Sequence, residues 1–184
     1  MTPRAPRADA LRNRDRLLTA AAPLVRPGGG ALSLGQVARD AGVSIATLYR
    51  HFPTRESLLL ALSRHDALEH SARAAHLLET LPPLEALGRW LQEMGRYGLT
   101  RPGMARAFRS AASDPLGDEV YRLTVEALDS LLTAAARSGE IREDLGAGDL
   151  LLALGGLWDL EDSPAARAQC DRLTGLLVDG LRRV

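Results

Sequence analysis

The stretch Ser33–Phe52, SLGQVARDAGVSIATLYRHF, constrains this chain more than any other. Two short segments of helical apolar spacing flank a glycine, and each opens on a serine. Ser33 is placed to cap the first, with Gln36 three residues on to complete a capping box. Leu34, Val37, Ala38 and Ala41 then fall on one helical face. Gly42 stands where the chain must reverse, a position that calls for positive φ and so for a residue without Cβ. Ser44 can cap the second segment, whose buried side is Ile45 or Leu48 and then Phe52. The small Ala38 and the turn glycine let the two helices cross closely, with Leu48 locked between them. This pattern is a helix-turn-helix, whose second helix enters a DNA major groove.

Charge is divided along the chain in a way that suits such a unit. Residues 1–65 carry 10 Arg against 4 acids, a balance of +6, and residues 66–184 carry 13 Arg against 19 acids, a balance of −6. The basic third suits a polyanion, which the acidic remainder repels. Every one of the 23 basic residues is Arg. Hydrophobic residues make up 46% of the 184 but aromatics only 4%, and the dominance of Ala and Leu favours helix over sheet. No run approaches the roughly 18 apolar residues of a membrane span. The N-terminus lacks an apolar signal region, so the expectation is a cytoplasmic protein with no membrane partner. Cys170 is the only cysteine, which excludes an intramolecular disulfide and a cysteine-rich zinc site, and it reads as a small buried hydrophobe.

The remaining punctuation predicts an all-α chain of about nine helices. Residues 1–8, with Arg4 and Arg7 among prolines, read as a disordered basic arm. A first helix spans about Asp9 to Val25, with Leu11, Leu18 and Val25 in its buried stripe and its last turn tightened at Pro23. Thr54 caps a fourth helix reaching about Glu79, close to 40 Å long at 1.5 Å per residue. Helices follow over about Leu84–Leu99, Met104–Ala112, Leu116–Ser138 (ended by Gly139), Leu150–Trp158 and Pro164–Arg183. The apolar residues of the Leu150–Trp158 helix run nearly all round, so a cover on both sides is expected, one of them a second subunit.

AGVSIATLYRHFPTRESLL closely resembles the N-terminal domain of the tetracycline-repressor-like (TetR/AcrR) transcriptional regulators. The shared pattern is A-G-V-S, then T-L-Y-x-H-F, then a short turn and a helix opening x-[KR]-E-x-L. The match covers about residues 9–64, and beyond it the likeness is one of layout. The resemblance implies an N-terminal three-helix DNA-binding domain over residues 1–55 and an effector-binding and dimerisation domain over 56–184.

It also implies roles for named residues. Tyr49 and His51 would meet phosphate oxygens, and Arg55, opening the fourth helix, would grip a phosphate together with that helix N-terminus. Ser33 and Ser44 are either phosphate donors or simply caps. Thr47 and Arg50, with Ala46 beside them, and Gln36 on the preceding helix are the base-reading candidates. Gln36 has the capping box as its alternative use. Ile45 and Gly35 depart from common family usage and leave fewer polar readers, which shifts weight to DNA shape. His65, Trp90, Met94, Tyr97, Met104, Phe108, Tyr121 and Trp158 are the ligand-binding candidates, with a filled core as the competing reading. Leu150, Leu151, Leu154, Leu157, Leu173, Leu176, Leu177 and Leu181 are the expected dimer face. No cofactor and no metal site is expected, since only His65 and Glu69 share ligand spacing.

The function implied is a homodimeric repressor of a palindromic operator, released by a small-molecule effector. A constitutive DNA-binding or adaptor protein without an effector is the alternative. An all-helical enzyme lacks support, because the sequence holds no phosphate loop, zinc signature or matched nucleophile and base.

Overall fold

Among the described residues two glycines place the chain in the left-handed region, and each stands just past the end of a helix: Gly42 at φ +62° and Gly139 at φ +77°. Between such stops a computed structural model describes residues 6–25, 32–101, 115–158 and 160–183. Among the described residues there are eight α-helices and no strand beyond a single antiparallel bridge, Ile141 with Arg182. They are α1 Pro6–Ala21, α2 Leu34–Asp40, α3 Ile45–His51, α4 Arg55–Thr80, α5 Pro83–Thr100, α6 Pro115–Arg137, α7 Ala147–Gly155 and α8 Pro164–Leu181. The expected helix at Met104–Ala112 lies outside the described residues.

The chain divides into two compact units, Met1–His65 and Asp66–Val184, and the division lies inside α4. In the first unit Leu17, Leu18 and Ala21 of α1 meet Val37, Ala38 and Ala41, Leu48 and Phe52, and Leu58 and Leu62 in one buried cluster. The expected tightening at Pro23 is a 3-10 turn over Ala22–Leu24. Three local expectations need correction. Helix α1 starts at Pro6, inside the stretch expected to be a disordered arm, because proline is tolerated in a helix's first turn; residues 1–5 lie outside the description. Leu11 is 63% exposed, so the buried stripe of α1 starts a turn and a half later, at Leu17. The capping box at Ser33 is only half formed. Ser33 Oγ accepts from the Gln36 N–H at 3.3 Å, but the Gln36 side chain donates to Asp40 at 2.5 Å and accepts from Arg39 at 2.6 Å. Neighbours one turn along the helix compete successfully for the amide.

In the second unit α5 is the central element, packed by α6 and α8. Its Leu87, Trp90, Leu91 and Met94 are buried with Leu128 and Leu131 of α6, Leu150, Leu151 and Leu154 of α7, and Cys170 and Leu181 of α8. Cys170 is fully buried beside Gly95, where an added Cβ would come within 2.6 Å of its Sγ. The α5–α8 seam thus depends on a missing side chain.

Candidate nucleic-acid interface

Helix α3 is anchored from one side and presented from the other. Ser44 accepts from the Thr47 N–H at 3.1 Å, and the two hydroxyls lie 2.8 Å apart, which fixes the helix start. Leu48 and Phe52, four residues apart, are both buried, so the choice between Ile45 and Leu48 falls to Leu48. Ile45 (44%) and Tyr49 (50%) stand exposed, as do Ala46 and Arg50 on the side away from Leu48. Thr47 and His51 are half-buried on the flank, and the His51 ring tilts against Phe52 with centroids 6.3 Å apart.

Helix α4 is started by a second reciprocal pair. Thr54 Oγ1 accepts from the Ser57 N–H at 3.1 Å, and Ser57 Oγ accepts from the Thr54 N–H at 3.2 Å. This leaves Arg55, half-buried, as the first residue of a 26-residue helix, so a cationic side chain stands at that helix N-terminus. Ser33 is exposed at the start of α2. Of the nine candidates, Tyr49, Arg50 and Ala46 are presented openly, Thr47 and Gln36 already spend their polar atoms inside the unit, and Ser33 and Ser44 act as caps.

Two arginines of α1, assigned no role from the sequence, reach this assembly. The Arg14 guanidinium lies 5.4 Å from the centroid of the Phe52 ring, and Arg16 donates to the Gly42 carbonyl at 3.4 Å. An added Cβ at Gly42 would lie 2.6 Å from the Arg16 side chain. Partners 38 and 26 residues apart leave no periodic signal in a sequence.

The ligand-binding candidates are distributed differently. His65 is half-buried in the first unit. Trp90, Met94 and Trp158 are buried within the core of the second, and Tyr97 and Tyr121 pack against it. Met104 and Phe108 lie outside the described residues. Tyr97 belongs to a polar cluster that aromatic spacing did not reveal. Its hydroxyl donates to Asp66 Oδ2 at 2.5 Å, Arg101 Nε donates to the same oxygen at 3.1 Å, and the Arg101 guanidinium lies 5.2 Å from the Tyr97 ring centroid. Burial, then the Asp66 charge, pushes the Tyr97 phenol well above its ordinary pKa, which keeps it a donor. The His70 ring stands edge-on to Tyr97 at 4.3 Å, and burial holds its pKa below the usual histidine value against the pull of Asp66. Elsewhere in this unit Arg96 pairs with Asp171 of α8 at 2.5 Å. Among the described residues no three His, Cys, Asp or Glu side chains gather as a metal site would need.

The expected dimer face also needs revision. Leu150, Leu151, Leu154, Leu157 and Leu181 are buried within the single chain, and Leu173 and Leu177 are partly buried against the same core. The stripe of α7 and α8 that looked two-sided is mostly consumed by α5 and α6. Leu176 (67% exposed) remains outside, joined by Leu152 (74%), which sequence reasoning left off the face. Around them, a Cβ built on Gly155, Gly175 or Gly180 meets nothing within 4 Å.

Comparison with known proteins gives this geometry a context. Residues 17–62 match the family model described as "Bacterial regulatory proteins, tetR family", and residues 82–183 match "Transcriptional regulator SbtR-like, C-terminal domain". The chain is 32% identical over 117 residues to the HTH-type transcriptional regulator NfxB of Pseudomonas aeruginosa, covering 62% of this chain and 63% of that protein. It is 32% identical over 139 residues to the HTH-type transcriptional repressor KstR of Mycolicibacterium smegmatis, covering 71% of this chain and 66% of that one. The matches therefore span just under two thirds of those curated relatives' own length. The solved structure of the TetR transcriptional regulator SCO0520 from Streptomyces coelicolor is 38% identical with a TM-score of 0.77, covering 93% of this chain and 99% of that one.

Proposed function

The chain belongs to the TetR family of bacterial transcriptional regulators, and from that premise we propose that it is a homodimeric, operator-binding repressor released by a small-molecule effector. Regulators of this family bind DNA, usually act as dimers and are not enzymes. The observation that carries the reading is the presented face of α3, where Tyr49, Ala46 and Arg50 stand open on a unit whose residues balance at +6, 10 Arg against 4 acids. We assign DNA binding to residues 1–55 and effector binding and dimerisation to 56–184. In the complex Tyr49, His51 and Arg55 hold phosphates, and Arg50 reads a base edge, its fork matching guanine O6 and N7.

Dimerisation supplies the second recognition helix, about 34–36 Å from the first for successive major grooves of a palindrome. The exposed Leu152 and Leu176, with the bare Gly155, Gly175 and Gly180 on the same two helices, are the residues a second copy would cover, since bare glycines let helices approach closely. An apolar effector would be received among Trp90, Met94, Tyr97, Tyr121 and Trp158. A protein with this role works where the DNA is, in the cytoplasm; among the described residues no helix is long and apolar enough to cross a membrane.

Selection of duplexes from a random pool by the full chain at near-physiological salt tests the reading. A palindromic site with two equivalent half-sites is the expected outcome, bound at one dimer per site by native mass spectrometry. Binding that shows no preference over random DNA overturns it. L152R combined with L176E is expected to yield monomers that lose the palindrome preference. A library of apolar small molecules that never weakens operator binding would favour the constitutive alternative.

A further inference from the structure

Helix α3 exposes an apolar side chain that its own fold does not use. Ile45 is the first residue of the helix, is exposed, and takes no part in the core that Leu48 and Phe52 join. A β-branched residue adds nothing to helix propensity there. At about 100° per residue, Ile45 lies beside Tyr49 on the arc that continues through Ala46 to Arg50. The outward surface of the helix is therefore an isoleucine, an alanine and a phenol ring next to one guanidinium. Apart from Arg50, the polar candidates for base edges are occupied. Thr47 Oγ1 sits 2.8 Å from Ser44 Oγ, and the Gln36 amide is bonded at both ends by Asp40 and Arg39. In the major groove, the protruding apolar group that a base pair offers is the thymine C5-methyl.

We propose that Ile45 is a specificity-determining residue that packs on a thymine methyl in each operator half-site. This rests on the reading of the chain as an operator-binding dimer, and it assigns part of the sequence preference to apolar contact. The occupant is a DNA duplex because the unit that carries Ile45 holds 10 Arg against 4 acids, and Arg50 stands at the other end of the same exposed arc. A protein partner would have to bring an apolar patch against this excess of positive charge.

The test uses the full-length dimer and an operator obtained by selection, with each dT replaced singly by dU. That exchange removes the methyl and leaves every hydrogen-bonding edge in place. One position per half-site is expected to lose about four-fold in affinity, and about 15-fold when both half-sites carry dU, the value of one buried carbon on each side. I45A is expected to bind the dT and dU operators equally, and its melting should match the parent because Ile45 supports no core. An operator whose dU scan is flat in the parent protein overturns the inference without reference to any variant. A sensitive position that stays equally sensitive in I45A overturns the assignment to Ile45. In both cases selective operator binding still stands. Failure of selection to return any site removes the DNA-binding reading itself.

Discussion

The two units of this molecule put the same kinds of side chain to opposite uses. In Met1–His65 the residues of functional interest stand outside a small core, and their side-chain hydrogen bonds are three or four residues long: Ser44 to Thr47, Thr54 to Ser57, Gln36 to Asp40. Arg14 and Arg16 of α1 add the longer reach to Phe52 and Gly42. In Asp66–Val184 the tryptophans and methionine of interest are the core, and the polar ties reach across the chain. Asp66 meets Tyr97 31 residues away, and Arg96 meets Asp171 75 residues away. A DNA reader needs an exposed rigid face, whereas a unit that answers to a ligand needs an apolar interior with a few polar groups fixed inside it.

Paired substitutions break this comparison most directly, because both tryptophans of the chain, Trp90 and Trp158, lie in the second unit. Leu48→Ala empties a fully buried site of the first unit and should cost about 3 kcal/mol there. Operator binding would be lost while the tryptophan-monitored urea transition keeps its midpoint. Gly98→Ala does the reverse. A Cβ on Gly98 would fall inside the Trp158 indole, and overpacking of this severity should cost about 3 kcal/mol, read as a lower tryptophan midpoint. If either substitution moved both readouts equally, the two cores would not melt as separate bodies.

Asp66→Asn addresses the polar tie of the second unit. The variant keeps the shape but removes the charge that Arg101 and the Tyr97 hydroxyl share, for an expected loss of about 2 kcal/mol. An unchanged midpoint would mean that solvent screens the pair completely. Ser44→Ala is smaller, about 1 kcal/mol, because one backbone N–H at the start of α3 loses its acceptor. Its effect should appear in operator affinity before it appears in global stability.

These contrasts explain what could be read from the sequence. Short-range devices are written locally, so the helix-turn-helix, Gly42 at its turn, the caps at Ser33, Ser44 and Thr54 and the break at Gly139 were all legible. So was the burial of Leu48 with Phe52. Partner choice was not. Gln36 was given a capping box but found Asp40 and Arg39, since a glutamine amide reaches neighbours in either direction along a helix. Nothing local marks Arg14 as the residue that stacks on Phe52, or Arg101 as the partner of Asp66. The eight leucines of α7 and α8 show the limit of periodicity: it reports that a face is apolar, and the packing of α5 decides whether the same chain or a second copy covers it.

The smallest effect falls on His70, and its sign follows from burial. The ring is desolvated, and although Asp66, Glu93 and Glu69 favour its protonated form, burial prevails and the folded-state pKa lies below the ordinary 6.5. The unfolded chain therefore binds a proton on this side chain at a higher pH than the folded one does. Stability contributed by neutral His70 is fully present above pH 6.5 and declines as the pH falls below it, until the folded-state pKa is passed. Tryptophan-monitored urea midpoints at pH 7.5, 6.5 and 5.5 should fall in the last interval for the parent chain and hold nearly level for His70→Gln. The window lies above the ordinary carboxylate range, and the hydrogen bond from Arg73 holds Glu93 lower still, so its titration contributes little. A variant that falls in parallel with the parent would place the acid sensitivity on another group and leave the Asp66–Tyr97–Arg101 cluster indifferent to the proton beside it.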